Sequence, residues 1–126
     1  MVGSLGDCMA SFAYVTLQVG DIPRVRDWYV EVVGLHLERE TAGQIAVLRG
    51  EGGCRLCLES GPPVSEPSRV DLLFEVASVD ETHARLVRRG ATFWRGPTDE
   101  LYGHRNAILF DPVGHKVEFF ERLAET

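Results

Sequence analysis

The sequence holds a single lysine, Lys116, so nearly all of its 13 basic residues are arginine, and 19 acidic residues outnumber them. A formal net charge of -6 leaves no concentrated positive surface, which argues against a nucleic-acid partner and against an anionic membrane surface. No apolar run approaches the ~20 residues that a membrane-crossing helix needs. The opening MVGSLGDCMAS has neither a basic start nor a continuous apolar segment, so a cytoplasmic protein is expected. Cysteine is sparse as well: three residues, an odd count, do not suggest a disulfide framework. Cys54 and Cys57 form a Cys-x-x-Cys, but three residues apart on a strand they point to opposite faces, roughly 10 Å apart at about 3.3 Å per residue. That is too far for a disulfide, and no second such pair exists to build a zinc site.

What is present is ordinary for a globular protein: 44% apolar and 25% charged residues in a chain of 126, which suits one compact domain over residues 1–126. Tyr14 to Val19 (YVTLQV) alternates polar and apolar, the pattern of a half-buried strand. Asp21 suits a helix N-cap, Pro23 fits its first turn, Val25, Trp28, Tyr29 and Val32 have helical spacing, and Gly34 suits the exit. A strand is expected in LHLERE, and QIAVLRG and CRLCLES read as two strands joined by the turn GEGG. A Pro/Ser/Gly-rich linker, residues 61–69, separates this first module (12–60) from a second (70–122) with the same order. There DLLFEV is the strand, SVDETHARLVRRG a helix with Ser78 and Glu81 as a capping box, and NAILFDPVGHKVEFFE a hairpin. YVTLQV aligns on DLLFEV, and AVLRGEGGCRLCLE on AILFDPVGHKVEFF, so the chain reads as a low-identity repeat. The first eleven residues look disordered, and Met9 is a second candidate start.

Two such units cannot each bury both faces of a sheet. The expected fold is therefore α+β: two paired βαβββ modules forming a curved mixed sheet around a groove, with the helices outside. Alternation places Val15, Leu17, Val19, Leu72, Phe74 and Val76 toward the helices. It turns Tyr14, Thr16, Gln18, Asp71, Leu73 and Glu75 toward the groove, together with Arg55, Cys57, Glu59, Lys116, Glu118 and Phe120 from the last strands.

These segments, YVTLQVGDIPRVRDWYVEVVGL, DLLFEVASVDETHARLVRRGA and YGHRNAILFDPVGHKVEFFE, resemble the vicinal oxygen chelate superfamily, which includes glyoxalase I, extradiol dioxygenases and bleomycin resistance proteins. In its metal-dependent members the resemblance implies ligands at four groove positions, which here are Tyr14, Cys57, Asp71 and Glu118. Only Glu118 matches the usual glutamate. Tyrosine is a poor ligand unless ionised, and a soft thiol beside two hard carboxylates makes a mismatched set. The four histidines do not replace the missing imidazoles: His83 falls in a predicted helix, His36 and His115 near turns, and His104 in the LYGHR loop. Neither a metal nor a cofactor is expected.

Three readings of the groove follow. The first resembles the bleomycin-resistance-like binding proteins: a homodimer that sequesters an antibiotic or other large aromatic natural product. In it Tyr14, Trp94, Tyr102, Phe110 and Phe120 supply stacking surfaces, while Gln18, Arg55, Cys57, Asp71, Arg105 and Glu118 line the site and fix orientation. The second is a metal-dependent lyase, isomerase or dioxygenase using Glu118 and Asp71, with Glu59 or Glu75 as substitutes. The third is metal-free acid/base chemistry by Asp71 and Glu118, should the two acids lie close enough to share a proton. The first is preferred, and it leaves the catalytic residues unassigned.

Overall fold

Aliphatic residues at every second position give the first strand, β1 (Tyr14–Val19), one buried edge of side chains, Leu17 and Val19, and one exposed set, Tyr14, Thr16 and Gln18. In a computed structural model, which describes residues 12–62 and 70–124, β1 is followed by helix α1 (Ile22–Trp28). Asp21 caps it by accepting from the Arg24 N–H (3.2 Å), and Pro23 occupies the first turn, where no N–H is missed. One π-helical turn, Tyr29–Val33, extends α1. It ends at Gly34, whose φ of 89° lies in the left-handed region that glycine enters without strain. β2 (His36–Thr41), β3 (Ile45–Arg49) and β4 (Arg55–Ser60) complete the module.

The second module repeats it: β5 (Asp71–Glu75), α2 (Val79–Arg88), β6 (Arg95–Asp99), β7 (His104–Phe110) and β8 (Lys116–Arg122). Ser78 Oγ accepts from the Glu81 N–H (3.1 Å) at the start of α2, as the capping pattern predicts. The expectations for the first eleven residues, and for most of the linker (63–69), lie outside the described residues.

The strands form two four-stranded sheets, in the orders β1-β4-β3-β2 and β5-β8-β7-β6. β1 runs parallel to β4 and β5 to β8, while the hairpin strands are antiparallel. β1 and β5 are therefore edge strands, each paired on one side only. The helix-side faces share one core, which joins Leu17, Val25, Tyr29, Leu48 and Leu58 to Leu86, Leu109, Val117 and Phe119.

Where the modules meet, burial is joined by polar specificity. The Tyr29 hydroxyl donates to Asp111 Oδ2 (2.7 Å), the same oxygen that His115 Nδ1 approaches at 2.7 Å, and all three residues are buried. Asp111 Oδ1 accepts the backbone N–H groups of Val113 (3.0 Å) and His115 (2.8 Å). Burial, and then the adjacent Asp111 charge, push the Tyr29 phenol far above its ordinary value. The folded state thus keeps a proton that an unfolded tyrosine releases near pH ~10. The stabilisation from Tyr29 is complete below that pH and is lost as pH rises above it. Tyr29→Phe should cost about 1 kcal/mol near neutrality, and in urea melts the gap from the parent should shrink above pH ~10. A gap constant across pH would refute this.

Candidate functional site

The groove-side faces are built by register. In the first sheet Tyr14 lies opposite Arg55, Thr16 opposite Cys57 and Gln18 opposite Glu59. In the second, Asp71 lies opposite Lys116, Leu73 opposite Glu118 and Glu75 opposite Phe120, while Ile108 and Asn106 on β7 align with Glu118 and Phe120.

On the first sheet, the Arg55 guanidinium sits 5.9 Å from the Tyr14 ring centroid and pairs bidentately with Glu38 (2.7 and 2.9 Å). Arg55 holds the Glu38 carboxyl below its ordinary value. The Cys57 thiol is free and buried; Cys54 is free and exposed. Gln18 packs on Gly61, where an added Cβ would come within 2.9 Å of it.

The second sheet carries the denser chemistry. Glu118 is 6% exposed, and Asn106 Nδ2 donates to its Oε1 (3.0 Å) and to the Tyr102 hydroxyl (3.3 Å). Arg95 donates through Nη2 to Asn106 Oδ1 (2.6 Å) and to Glu100. The His104 ring stacks on Phe120, with centroids 4.5 Å apart and planes 17° apart, and the Tyr102 ring meets His104 edge-on at 5.2 Å. Trp94 contacts Phe110 edge-on at 6.2 Å, and Trp94, Tyr102 and Phe110 are all exposed.

Two residues lie elsewhere than the sequence reading placed them. Arg105 shares the strand parity of Ala107 and Leu109 and turns away from the groove. Asp80 on α2 (2.9 Å) and Asp99 on β6 (2.8 Å) hold it there by ion pairs. His104 opens β7 rather than lying in a loop, and so joins the groove face. Sequence reasoning also missed Asn106 and Arg95. The signal available for Asn106 was its alternation with Ile108 and Phe110; Arg95 carried none.

Within one chain only part of the two sets lines a common hollow. Asp71 pairs with Lys116 (3.5 Å) and Glu75 with Arg122 (3.2 Å), and neither bonds Glu118. Asp71 and Glu118 therefore do not form the contacting acid pair that metal-free acid/base chemistry requires. A cleft of about 740 Å³ runs along the module seam. It reaches Arg55, Asp71 and Leu73 over an apolar floor that includes Val15, Leu56 and Phe74, but it is not lined by Tyr14, Cys57 or Glu118. Among the described residues no three His, Cys, Asp or Glu side chains group as a cation cage. A tyrosine under an arginine, a buried thiol, a lysine-paired aspartate and an amide-bound glutamate are a poor donor set for a transition metal. The described residues do not fit the metal that the resemblance implies for metal-dependent members. No helix is long and apolar enough to cross a membrane among the described residues.

Comparison with known proteins sets these faces in a family. A family model, that of the Glyoxalase/Bleomycin resistance protein/Dioxygenase superfamily, matches residues 11–119. No curated protein matches the chain. Among solved structures, TnmS3, an antibiotic binding protein from Streptomyces sp. CB03234, is similar at 27% identity and a TM-score of 0.77, over 90% of this chain and 97% of that one. TioX from Micromonospora sp. ML1 is similar at 26% identity and a TM-score of 0.72, over 90% and 100%. Lactoylglutathione lyase from Agrobacterium tumefaciens shares 20% identity and a TM-score of 0.74 over 91% and 95%, a likeness of fold alone. The match spans most of the chain: the protein belongs to the glyoxalase/bleomycin resistance protein/dioxygenase superfamily.

Proposed function

We propose that the protein is a small-molecule-binding protein that sequesters an antibiotic or similar aromatic natural product, without a metal, in grooves completed by a second copy of the chain. The observation that carries this reading is the groove face of the second sheet, where the exposed Tyr102 ring and the His104–Phe120 stack lie beside a buried carboxylate. Large rings left in water next to a fixed polar group are what a flat, mostly apolar ligand needs for stacking and orientation. The 27% identity to an antibiotic binding protein supports the same ligand class, while the shared fold by itself does not decide between binding and catalysis.

The second copy enters through the strand edges. β1 and β5 each expose one side of their backbone, and Tyr14 and Leu73 beside those edges are about half exposed. An open edge flanked by apolar side chains favours pairing with another chain. With β1 of one copy laid against β5 of the other, Tyr14, Arg55 and Cys57 would face Asp71, Glu118 and Phe120 across one hollow. Each dimer would then hold two equivalent grooves.

Titration with a flat polycyclic antibiotic should quench tryptophan fluorescence with a Kd of micromolar or tighter, about -8 kcal/mol or better. Trp94→Phe should remove most of the quenching, since Trp28 lies on the helix side. The ligand should be recovered chemically unchanged. Absence of quenching, or a converted ligand, would refute sequestration.

A further inference from the structure

The orientation of the Asn106 amide is fixed by its neighbours. Arginine has donors and no acceptor, so Arg95 Nη2 must meet Oδ1 of Asn106, and both hydrogens of Nδ2 then point toward the groove. One goes to Glu118 Oε1 and the other to the Tyr102 hydroxyl, which exhausts the amide. Glu118 is thereby held as an acceptor at Oε1, while no described residue donates to its Oε2, which is not among the fully buried unpartnered atoms and so is open to water.

Among the described residues no cation pairs with this carboxylate. Lys116 pairs with Asp71, Arg122 with Glu75, and Arg95 with Glu100 and Asn106. Arg95 Nε is moreover the buried side-chain nitrogen without a partner among the described residues, so the arginine is anchored through Nη2. A carboxylate that is 6% exposed and has no counter-ion among the described residues relies on water at its open oxygen, and a ligand that displaces this water must supply a donor in its place. It lies on a strand face beside the His104–Phe120 stack and the Tyr102 ring, surfaces that accept a flat ring. A ring alone would leave Oε2 unsatisfied, and an anionic ligand would be repelled.

Building on the aromatic-groove reading, we infer that Glu118 selects ring ligands that carry a hydrogen-bond-donating cation, such as a protonated amine or amidine, and that Asn106 and Arg95 are positioning residues for this selection. The cation supplies the missing donor to Oε2 while its ring stacks beside Phe120. Charge-assisted hydrogen bonds to carboxylate are about twice as strong as neutral ones, so the preference is carried by one oxygen.

Two rings of the same size test it: 9-aminoacridine, a cation at neutral pH, and acridone, which is neutral. By isothermal titration the parent protein should bind the cation at least ~10-fold more tightly, the scale of one charge-assisted hydrogen bond. Glu118→Gln keeps the shape and should bring the ratio near one, with an unchanged circular dichroism spectrum showing that the variant is folded. Arg95→Met should lower the ratio without changing acridone binding. Arg95→Lys, which restores a donor to Asn106, should recover much of it. Equal binding of both rings by the parent, or an unchanged ratio in Glu118→Gln, would overturn the selection and leave the aromatic groove standing. Binding of neither ring would overturn both.

Discussion

Asp111→Ala should unfold the protein far more readily than any surface change, with a loss of about 3–5 kcal/mol, because four groups would lose their acceptor, three of them in buried hydrogen bonds. These are the Tyr29 hydroxyl, the His115 imidazole and the N–H groups of Val113 and His115. Out of a total stability of about 5–15 kcal/mol, that should lower the melting temperature by on the order of 10 °C. The effect should exceed that of Tyr29→Phe, which removes one donor and leaves the carboxylate its other three. Asp111→Asn should fall between them: Oδ1 can still serve the turn, but an amide nitrogen would face the tyrosine and imidazole in place of an acceptor. Denaturant melts of the three variants give the order directly. A loss below about 1 kcal/mol for Asp111→Ala would mean that water or a rearranged turn replaces the carboxylate. Because Tyr29 extends α1 and Asp111 sits between β7 and β8, this cluster also ties the two modules together through a buried hydrogen bond.

Much of this architecture was legible in the sequence because local signals agreed. Alternation in YVTLQV and DLLFEV gave the correct core-facing sides, fully buried at Leu17 and Val19 and partly buried at Leu72 and Phe74, and Asp21 and Ser78 cap the helices that follow them. β6 was implied by the repeat but could not be located, since Gly96 and Pro97 break the apolar pattern; proline is tolerated there because β6 is an edge strand. The polar start of β7, His104-Arg105-Asn106, hid two residues of the strand in what read as a loop. Arg105 could have been placed from parity alone, since Ala107 and Leu109 on the same side are buried in the core. The Arg95–Asn106–Glu118 chain could not, because it depends on the bulge between Arg95 and Thr98 and on register across three strands. Nor could alternation show that the groove faces belong to two separate sheets, since it reports which side of a strand a residue takes and nothing about which strands meet.

Bulky substitutions on the two walls should each abolish binding, yet binding should return when the variants are mixed. Thr16→Trp on β1 and Leu73→Trp on β5 place large rings on exposed groove positions, so neither disturbs the core. If β1 of one copy faces β5 of the other, every groove in either pure dimer has one blocked wall. A mixed dimer concentrates both blocks in one groove and leaves the other with two native walls. Random exchange of equal amounts should therefore restore about a quarter of all grooves, by the two-fold symmetry of such an interface. Titration of the mixture with the same polycyclic antibiotic should recover that fraction of sites at parental affinity, with mixed dimers counted by native mass spectrometry. If mixed dimers form and no sites return, the groove is built within one chain and its completion by a second copy is wrong. If neither variant loses binding alone, the ligand lies elsewhere, and the seam cleft reaching Arg55 and Asp71 becomes the place to look. The experiment thus separates a site that requires two chains from one that merely sits near an interface, a distinction that turns on the unpaired edges of β1 and β5.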